Sequence, residues 1–136
     1  VALASVLCTR PEVLILDEPT AGLDPLGRET LLKSIQSWRT EAQEVTLLVI
    51  SHDLGHLARL VDRVIVLARG SVVADGPARQ VLSNADLLRS AGLQVPPPVE
   101  LLYRLRQAGW AVGIDCISAQ EAVAEIARAR RLREGP

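Results

Sequence analysis

The 136-residue sequence has no phenylalanine, no methionine and only one lysine, Lys33. Without phenylalanine or methionine, a hydrophobic core must be built from leucine, valine, isoleucine and alanine, which are abundant here. The single lysine lies in a helical stretch rather than a glycine-rich one. These residues therefore contain no phosphate-binding loop of the kind that ends in Gly-Lys-Ser or Gly-Lys-Thr.

Other absences limit the function further. A formal net charge of −1 gives no overall attraction to nucleic acid or anionic lipid, so we expect no nucleic-acid partner. No apolar run is long enough for a membrane span, and no signal peptide is visible. Cys8 and Cys116 have no metal-ligand spacing, and we expect structural roles for both, with Cys8 in the core. A helix is predicted at residues 1–8, and because the sequence opens inside this pattern at Val1, we expect a fragment of a longer protein.

The strongest pattern lies in residues 13–25, VLILDEPTAGLDP. Four aliphatic residues predict a short strand buried on both faces, and the strand ends in the adjacent acids Asp17 and Glu18. Successive strand side chains point to opposite sides, so one acid can hold a cation while the other faces a reactant. Gly22 and Pro25 indicate a shaped loop up to Asp24. The alternative interpretation is a strand that ends in two solvated acids.

A second apolar strand is predicted at residues 45–50, after an amphipathic helix at residues 26–39. A strand–helix–strand crossover makes the two strands parallel, so their carboxyl ends share one edge of the sheet. His52 follows the second strand and should meet Asp17 and Glu18 there. A histidine in this context is by itself more often a capping or solvated residue. His56 has no third metal ligand nearby and is predicted to be an exposed helix residue.

The remaining sequence predicts short elements around turns. We expect a short helix at residues 53–61, a hairpin at residues 64–75, and helices at residues 77–83 and 85–92. The triple proline at residues 96–98 suggests a stiff linker, followed by a helix at residues 99–108. Ser118 and Glu121 form a capping box that starts a final helix. The predicted domains are residues 1–84, an α/β domain, and residues 85–136, a helical C-terminal extension after the proline linker.

Residues 13–25 resemble the Walker B strand and D-loop of ABC-type ATPases, and residues 49–53, VISHD, resemble their H-loop. The resemblance implies part of a P-loop NTPase-like parallel sheet with flanking helices, the P-loop itself lying outside these residues. It assigns Asp17 to the water shell of Mg²⁺ and Glu18 to the general base that polarises the attacking water. His52 would contact the terminal phosphate of ATP, which makes Glu18 and His52 the expected catalytic residues. Asp24 would be the nucleotide-site acid of the D-loop, near a partner subunit.

Leucine-rich segments around the proline linker resemble the ATPase subunits of energy-coupling factor importers, the cobalt/nickel and vitamin class. The resemblance implies an ATPase subunit that pairs with a second ABC ATPase subunit and a transmembrane subunit at the cytoplasmic face of the membrane. Phosphate-gripping loops would lie upstream, so residues 1–136 alone are expected to be inactive. Two alternatives stay open: an ABC ATPase of translation or DNA repair, and a non-catalytic interaction module.

Overall fold

The structure is a computed structural model that describes residues 6, 8–9, 11–41, 45–57 and 60–134, with only the backbone for residues 56, 57 and 134. The chain forms two compact units, Val1–His52 (unit 1) and Asp53–Pro136 (unit 2). The helix predicted at residues 1–8 lies mostly outside the described residues. Cys8 is exposed, so its predicted core position is wrong. It stands in a turn that the Thr9 hydroxyl closes by donating to the Val6 carbonyl.

Unit 1 contains a two-stranded parallel sheet. Strand β1 (Val13–Asp17) pairs with β2 (Thr46–Ile50), and helix α1 (Pro25–Glu41) connects them in sequence. The pairing runs from Val13 opposite Thr46 to Asp17 opposite Ile50. The predicted crossover and parallel pairing are therefore confirmed, with α1 slightly longer than expected. Both strands end at the same edge of the sheet, which is the edge where α/β sheets bind ligands.

The predicted burial of β1 on both faces is wrong. Leu14 is buried, but Val13 and Ile15 on the other face are more than half exposed. Their partners in the same face of β2 include Leu48, which is 47% exposed. An aliphatic strand indicates that both faces tolerate burial, but burial also requires a second layer to cover each face. In the described part of unit 1, that outer face remains accessible to solvent.

Unit 2 begins with the short helix α2 (Leu54–Leu57) and an antiparallel hairpin of β3 (Arg63–Ala68) and β4 (Ser71–Pro77). The two turn residues, Arg69 and Gly70, both have positive φ angles, of 51° and 75°. Such a turn matches the right-handed twist of the flanking strands, and glycine adopts it without steric cost. The hairpin that the sequence predicts is therefore confirmed.

Helices α3 (Ala78–Leu82), α4 (Ala85–Ser90) and α5 (Pro97–Gln107) follow the hairpin. Pro97 and Pro98 are the first residues of α5, where a missing N–H costs nothing, and Pro96 is fully buried. The predicted stiff linker is thus largely the start of a helix. One hydrophobic cluster joins residues on both sides of the predicted domain boundary at residue 84: Leu54, Ala78, Leu82 and Leu88. The compact units divide after His52 instead.

The last helix, α6 (Ala119–Glu134), begins with the predicted capping box. The Ser118 hydroxyl accepts from the Glu121 backbone N–H (3.2 Å), and the Glu121 carboxylate accepts from the Ser118 N–H (3.1 Å). Helices α5 and α6 enclose a second cluster around Leu102, Val112, Ala122 and Ala129. Among the described residues, no helix is both long and apolar enough to cross a bilayer.

Candidate active site

The site begins where β1 ends. The Glu18 backbone N–H donates to the Ile50 carbonyl (2.8 Å), which extends the pairing with β2 by one residue. Glu18 then has a φ of +43°, a left-handed conformation that is uncommon for a residue with a side chain. Asp17, one residue earlier, is exposed and pairs in register with Ile50. The two adjacent acids therefore have different surroundings, as the sequence predicts.

The Glu18 carboxylate lies against the residues that follow β2. Its Oε1 lies 2.6 Å from Nδ1 of His52 and accepts from the His52 backbone N–H (3.0 Å). Its Oε2 accepts from the Ser51 hydroxyl (2.9 Å). The predicted meeting with His52 at one sheet edge is thus confirmed for Glu18, whereas Asp17 is placed only by its pairing with Ile50. Ser51, which the sequence reasoning did not single out, is the third member of the group.

These contacts determine the charge of the group. The hydrogen bond with the His52 side chain is the largest influence and lowers the pKa of Glu18, although desolvation opposes it. The carboxylate is therefore ionised at neutral pH, as a carboxyl group with an ordinary pKa also is, and the ionised form can accept a proton. The His52 side chain is 82% exposed and that of Glu18 is 34% exposed. The imidazole is therefore accessible to a ligand that approaches this edge.

Asp24 has a structural contact of its own. Its Oδ1 accepts from the Gly27 backbone N–H (2.6 Å), and its carbonyl accepts from the Arg28 N–H (2.9 Å). Asp24 is therefore the N-cap of α1, whose first residue is Pro25. A side chain at residue 27 would lie within 2.8 Å of Asp24 Oδ1, so Gly27 leaves room for this cap. The rule for N-caps before a helix that starts with proline could have predicted the contact.

The described residues contain no group of three or more histidine, cysteine or acidic side chains that could enclose a metal ion. Mg²⁺ keeps most of its waters in proteins and is commonly held by one or two carboxylates together with substrate phosphates. Asp17, exposed beside Glu18, provides one such carboxylate. The side chain of His56 lies outside the described residues.

The fold agrees with a solved structure of the same class. CbiO1 from Clostridium perfringens, described as part of the ABC transporter complex CbiONQ, matches 76% of this chain with a TM-score of 0.57 and 34% sequence identity. The match covers 40% of that protein. No protein-family model matches the chain. The α/β fold is that of part of an ABC ATPase.

Sequence relatives indicate which kind of ABC ATPase the chain resembles. The energy-coupling factor transporter ATP-binding protein EcfA2 of Caldanaerobacter subterraneus is 40% identical over 94% of this chain, and EcfA2 of Clostridioides difficile is 41% identical over 98%. The chain is therefore similar, over nearly all of its length, to part of the ATP-binding proteins of energy-coupling factor transporters. It spans less than half the length of these relatives, 44% and 46% respectively.

Proposed function

We propose that the chain supplies the water-activating half of an ATP-hydrolysing site in the ATPase subunit of an energy-coupling factor importer. The observation that supports this proposal is the Glu18 carboxylate, which the residues after β2 hold at the shared sheet edge. Phosphoryl transfer to water depends mainly on a positioned water and on neutralised phosphate oxygens. A fixed carboxylate beside an accessible imidazole meets both needs.

In this proposal, each residue has one role. Glu18 accepts a proton from the attacking water, and His52 donates a hydrogen bond to the terminal phosphate of ATP. Asp17 holds the water shell of Mg²⁺, which supplies charge neutralisation at the phosphates when it is bound. Asp24 orders the loop that leads to α1 and presents it toward a second ATPase subunit.

The sequence contains no glycine-rich loop with a lysine, the element that usually binds the phosphates of a nucleoside triphosphate. Lys33, the only lysine of the sequence, is ion-paired with Glu29 on the surface of α1 (2.8 Å). Binding of the nucleotide is therefore assigned to sequence that the longer relatives possess and this chain does not match. The proposed partners are a second ABC ATPase subunit and a transmembrane subunit, at the cytoplasmic face of the membrane. The transporter names of the relatives favour this function over a role in translation or DNA repair.

A hybrid protein tests the proposal. In the hybrid, residues 1–136 replace the segment of Clostridioides difficile EcfA2 that they match, and the protein is purified with the rest of that transporter. We expect the hybrid to hydrolyse ATP and residues 1–136 alone to show no turnover. Glu18→Gln should lower turnover by about 10²- to 10⁴-fold, the usual contribution of a general base, and leave ATP binding intact.

Glu12→Gln is the matched control, because Glu12 is an exposed acid just before β1. It should leave turnover unchanged. An inactive hybrid, or a Glu18→Gln hybrid with the turnover of the unsubstituted one, would contradict the proposal.

A further inference from the structure

The direction of the Glu18 carboxylate requires support from outside its own strand. A φ of +43° places Glu18 in a conformation that is strained for a residue with a side chain, so surrounding contacts must maintain it. The hydrogen bond from its N–H to the Ile50 carbonyl fixes the backbone. It does not fix the carboxylate, which can still rotate about the side-chain bonds.

The two carboxylate oxygens are held by groups of different kinds. Oε1 faces the His52 ring and the His52 backbone N–H, whereas Oε2 accepts from the Ser51 hydroxyl. The imidazole is on a longer side chain and is mostly exposed, and the proposed function turns it toward a phosphate. The Ser51 hydroxyl is one carbon from the backbone of a half-buried residue. It can therefore keep its contact while the ring moves.

We propose that Ser51 is a positioning residue that holds Oε2 of Glu18, so that the carboxylate stays directed when His52 leaves it for the nucleotide. The proposal rests on the proposed function of Glu18 as the base. It assigns Ser51 no contact with ATP. Its effect should therefore appear in the rate of the chemical step and not in the binding of the nucleotide.

Substitutions at Ser51 separate the hydroxyl from the shape of the side chain. Ser51→Ala removes the donor, Ser51→Thr keeps it, and Ser51→Val has nearly the shape of threonine without it. In the hybrid ATPase, we expect Ser51→Ala and Ser51→Val to lower kcat by about five- to tenfold, the effect of one lost hydrogen bond, and to leave KM for ATP within twofold. Ser51→Thr should restore kcat to within about twofold of the unsubstituted hybrid.

Two controls test whether the effect is specific to the Ser51 hydroxyl and whether it acts through Glu18. Ser34→Ala removes an exposed hydroxyl that bonds within α1, and it should change neither constant. In the Glu18→Gln hybrid, adding Ser51→Ala should cause no further loss, because the base on which Ser51 acts is already gone.

The outcomes show separately whether the role of Ser51 is wrong and whether the proposed function of Glu18 is wrong. If Glu18→Gln abolishes turnover but Ser51→Ala leaves kcat unchanged, the role of Ser51 is wrong and the proposed function stands. Equal activity of the threonine and valine variants, or a loss seen only in KM, also overturns it. If Glu18→Gln has no effect, the proposed function fails, and the inference fails with it.

Discussion

Unit 1 and unit 2 differ in how they are stabilised. Unit 1 carries Asp17, Glu18 and His52, but among its described residues the buried hydrophobic side chains are only Leu14 and Ile35. Unit 2 carries no proposed catalytic group, yet its described residues form both hydrophobic clusters, and arginine–carboxylate pairs lie on its surface. The unit that carries the proposed catalytic residues therefore has the smaller hydrophobic core among the described residues.

The difference shows what each unit needs from its surroundings. The hydrogen bonds of Glu18 in unit 1 depend on two strand ends that stay in register, and a parallel pair with an exposed apolar face maintains that register weakly. In unit 2, buried side chains of α5 and α6 pack against one another, and a second cluster joins the residues around Leu82 and Leu88. We therefore expect a core substitution in unit 2 to cost more stability than a substitution on the outer face of the sheet in unit 1.

The largest expected difference in lost stability is between a buried leucine of unit 2 and exposed aliphatic residues of either unit. Leu102 is fully buried, whereas Leu101, next to it on α5, is 47% exposed. Leu102→Ala should lower the free energy of unfolding of unit 2 by about 2–5 kcal/mol, and Leu101→Ala by about 0.5 kcal/mol. In unit 1, Ile15→Ala, at a residue that is 59% exposed, should also cost about 0.5 kcal/mol.

The two tryptophans allow each unit to be followed separately. Trp38 is on α1 of unit 1, and Trp110 packs against the second cluster of unit 2. Urea unfolding of the Trp38→Phe chain by fluorescence reports unit 2, and unfolding of the Trp110→Phe chain reports unit 1. A loss for Ile15→Ala as large as that for Leu102→Ala would show that the outer face of the sheet is buried in solution and would remove the contrast.

Much of this architecture is predictable from the sequence, because the order of its elements and its capping residues agree with the observed tertiary structure. The strand–helix–strand order fixes the parallel pairing and so the meeting of Glu18 with the residues after β2. The Ser118 capping box is equally local. The roles that the resemblance gives to Asp17, Glu18, Asp24 and His52 stay predictions, since the structure shows positions and contacts but no reaction.

Other features depend on information that a pattern does not carry. An aliphatic strand cannot reveal whether a second layer covers it, so the exposure of Ile15 was missed. The contact of the Ser51 hydroxyl depends on the positive φ of Glu18, and glutamate gives no signal for that conformation. Pro97 and Pro98 fit a linker as well as the first turn of a helix. The structure places both in the first turn of α5, next to the fully buried Pro96.

A loss of stability of intermediate size is expected when the pH of unit 2 is lowered. The ion pair with Arg79, together with the N–H groups of Ser118 and Ile117, lowers the pKa of Glu121 to about 2, from an ordinary value of 4.5. Because the pKa is lower in the folded state, the stabilisation is complete above the unfolded value and is lost as the pH falls through the folded one. The loss should therefore occur between about pH 4.5 and pH 2.

The Glu121 side chain is about one third exposed, so solvent screening reduces the contribution to about 1–2 kcal/mol. Urea unfolding of the Trp38→Phe chain at several pH values measures it. Glu121→Gln should lower stability at neutral pH and flatten the dependence in that range. Glu125, whose pKa Arg128 and the Gly113 N–H also lower to about 2, should retain part of the slope. An unchanged slope in Glu121→Gln would place the acid sensitivity elsewhere.

The smallest effect concerns the two helix caps, which should cost the same in both units. An N-cap satisfies backbone N–H groups of its own first turn, so its contribution does not depend on the size of the surrounding core. Asp24→Ala should destabilise unit 1 by about 1 kcal/mol in the Trp110→Phe chain, where Trp38 reports directly on α1. Ser118→Ala should have a similar effect on unit 2 in the Trp38→Phe chain. Asp24→Asn, which keeps a capping oxygen, should cost little.

If Asp24→Ala leaves unit 1 unchanged while Ser118→Ala destabilises unit 2, the Asp24 carboxylate does not cap α1 in solution. Its place in the proposed function would then depend only on contact with a second subunit.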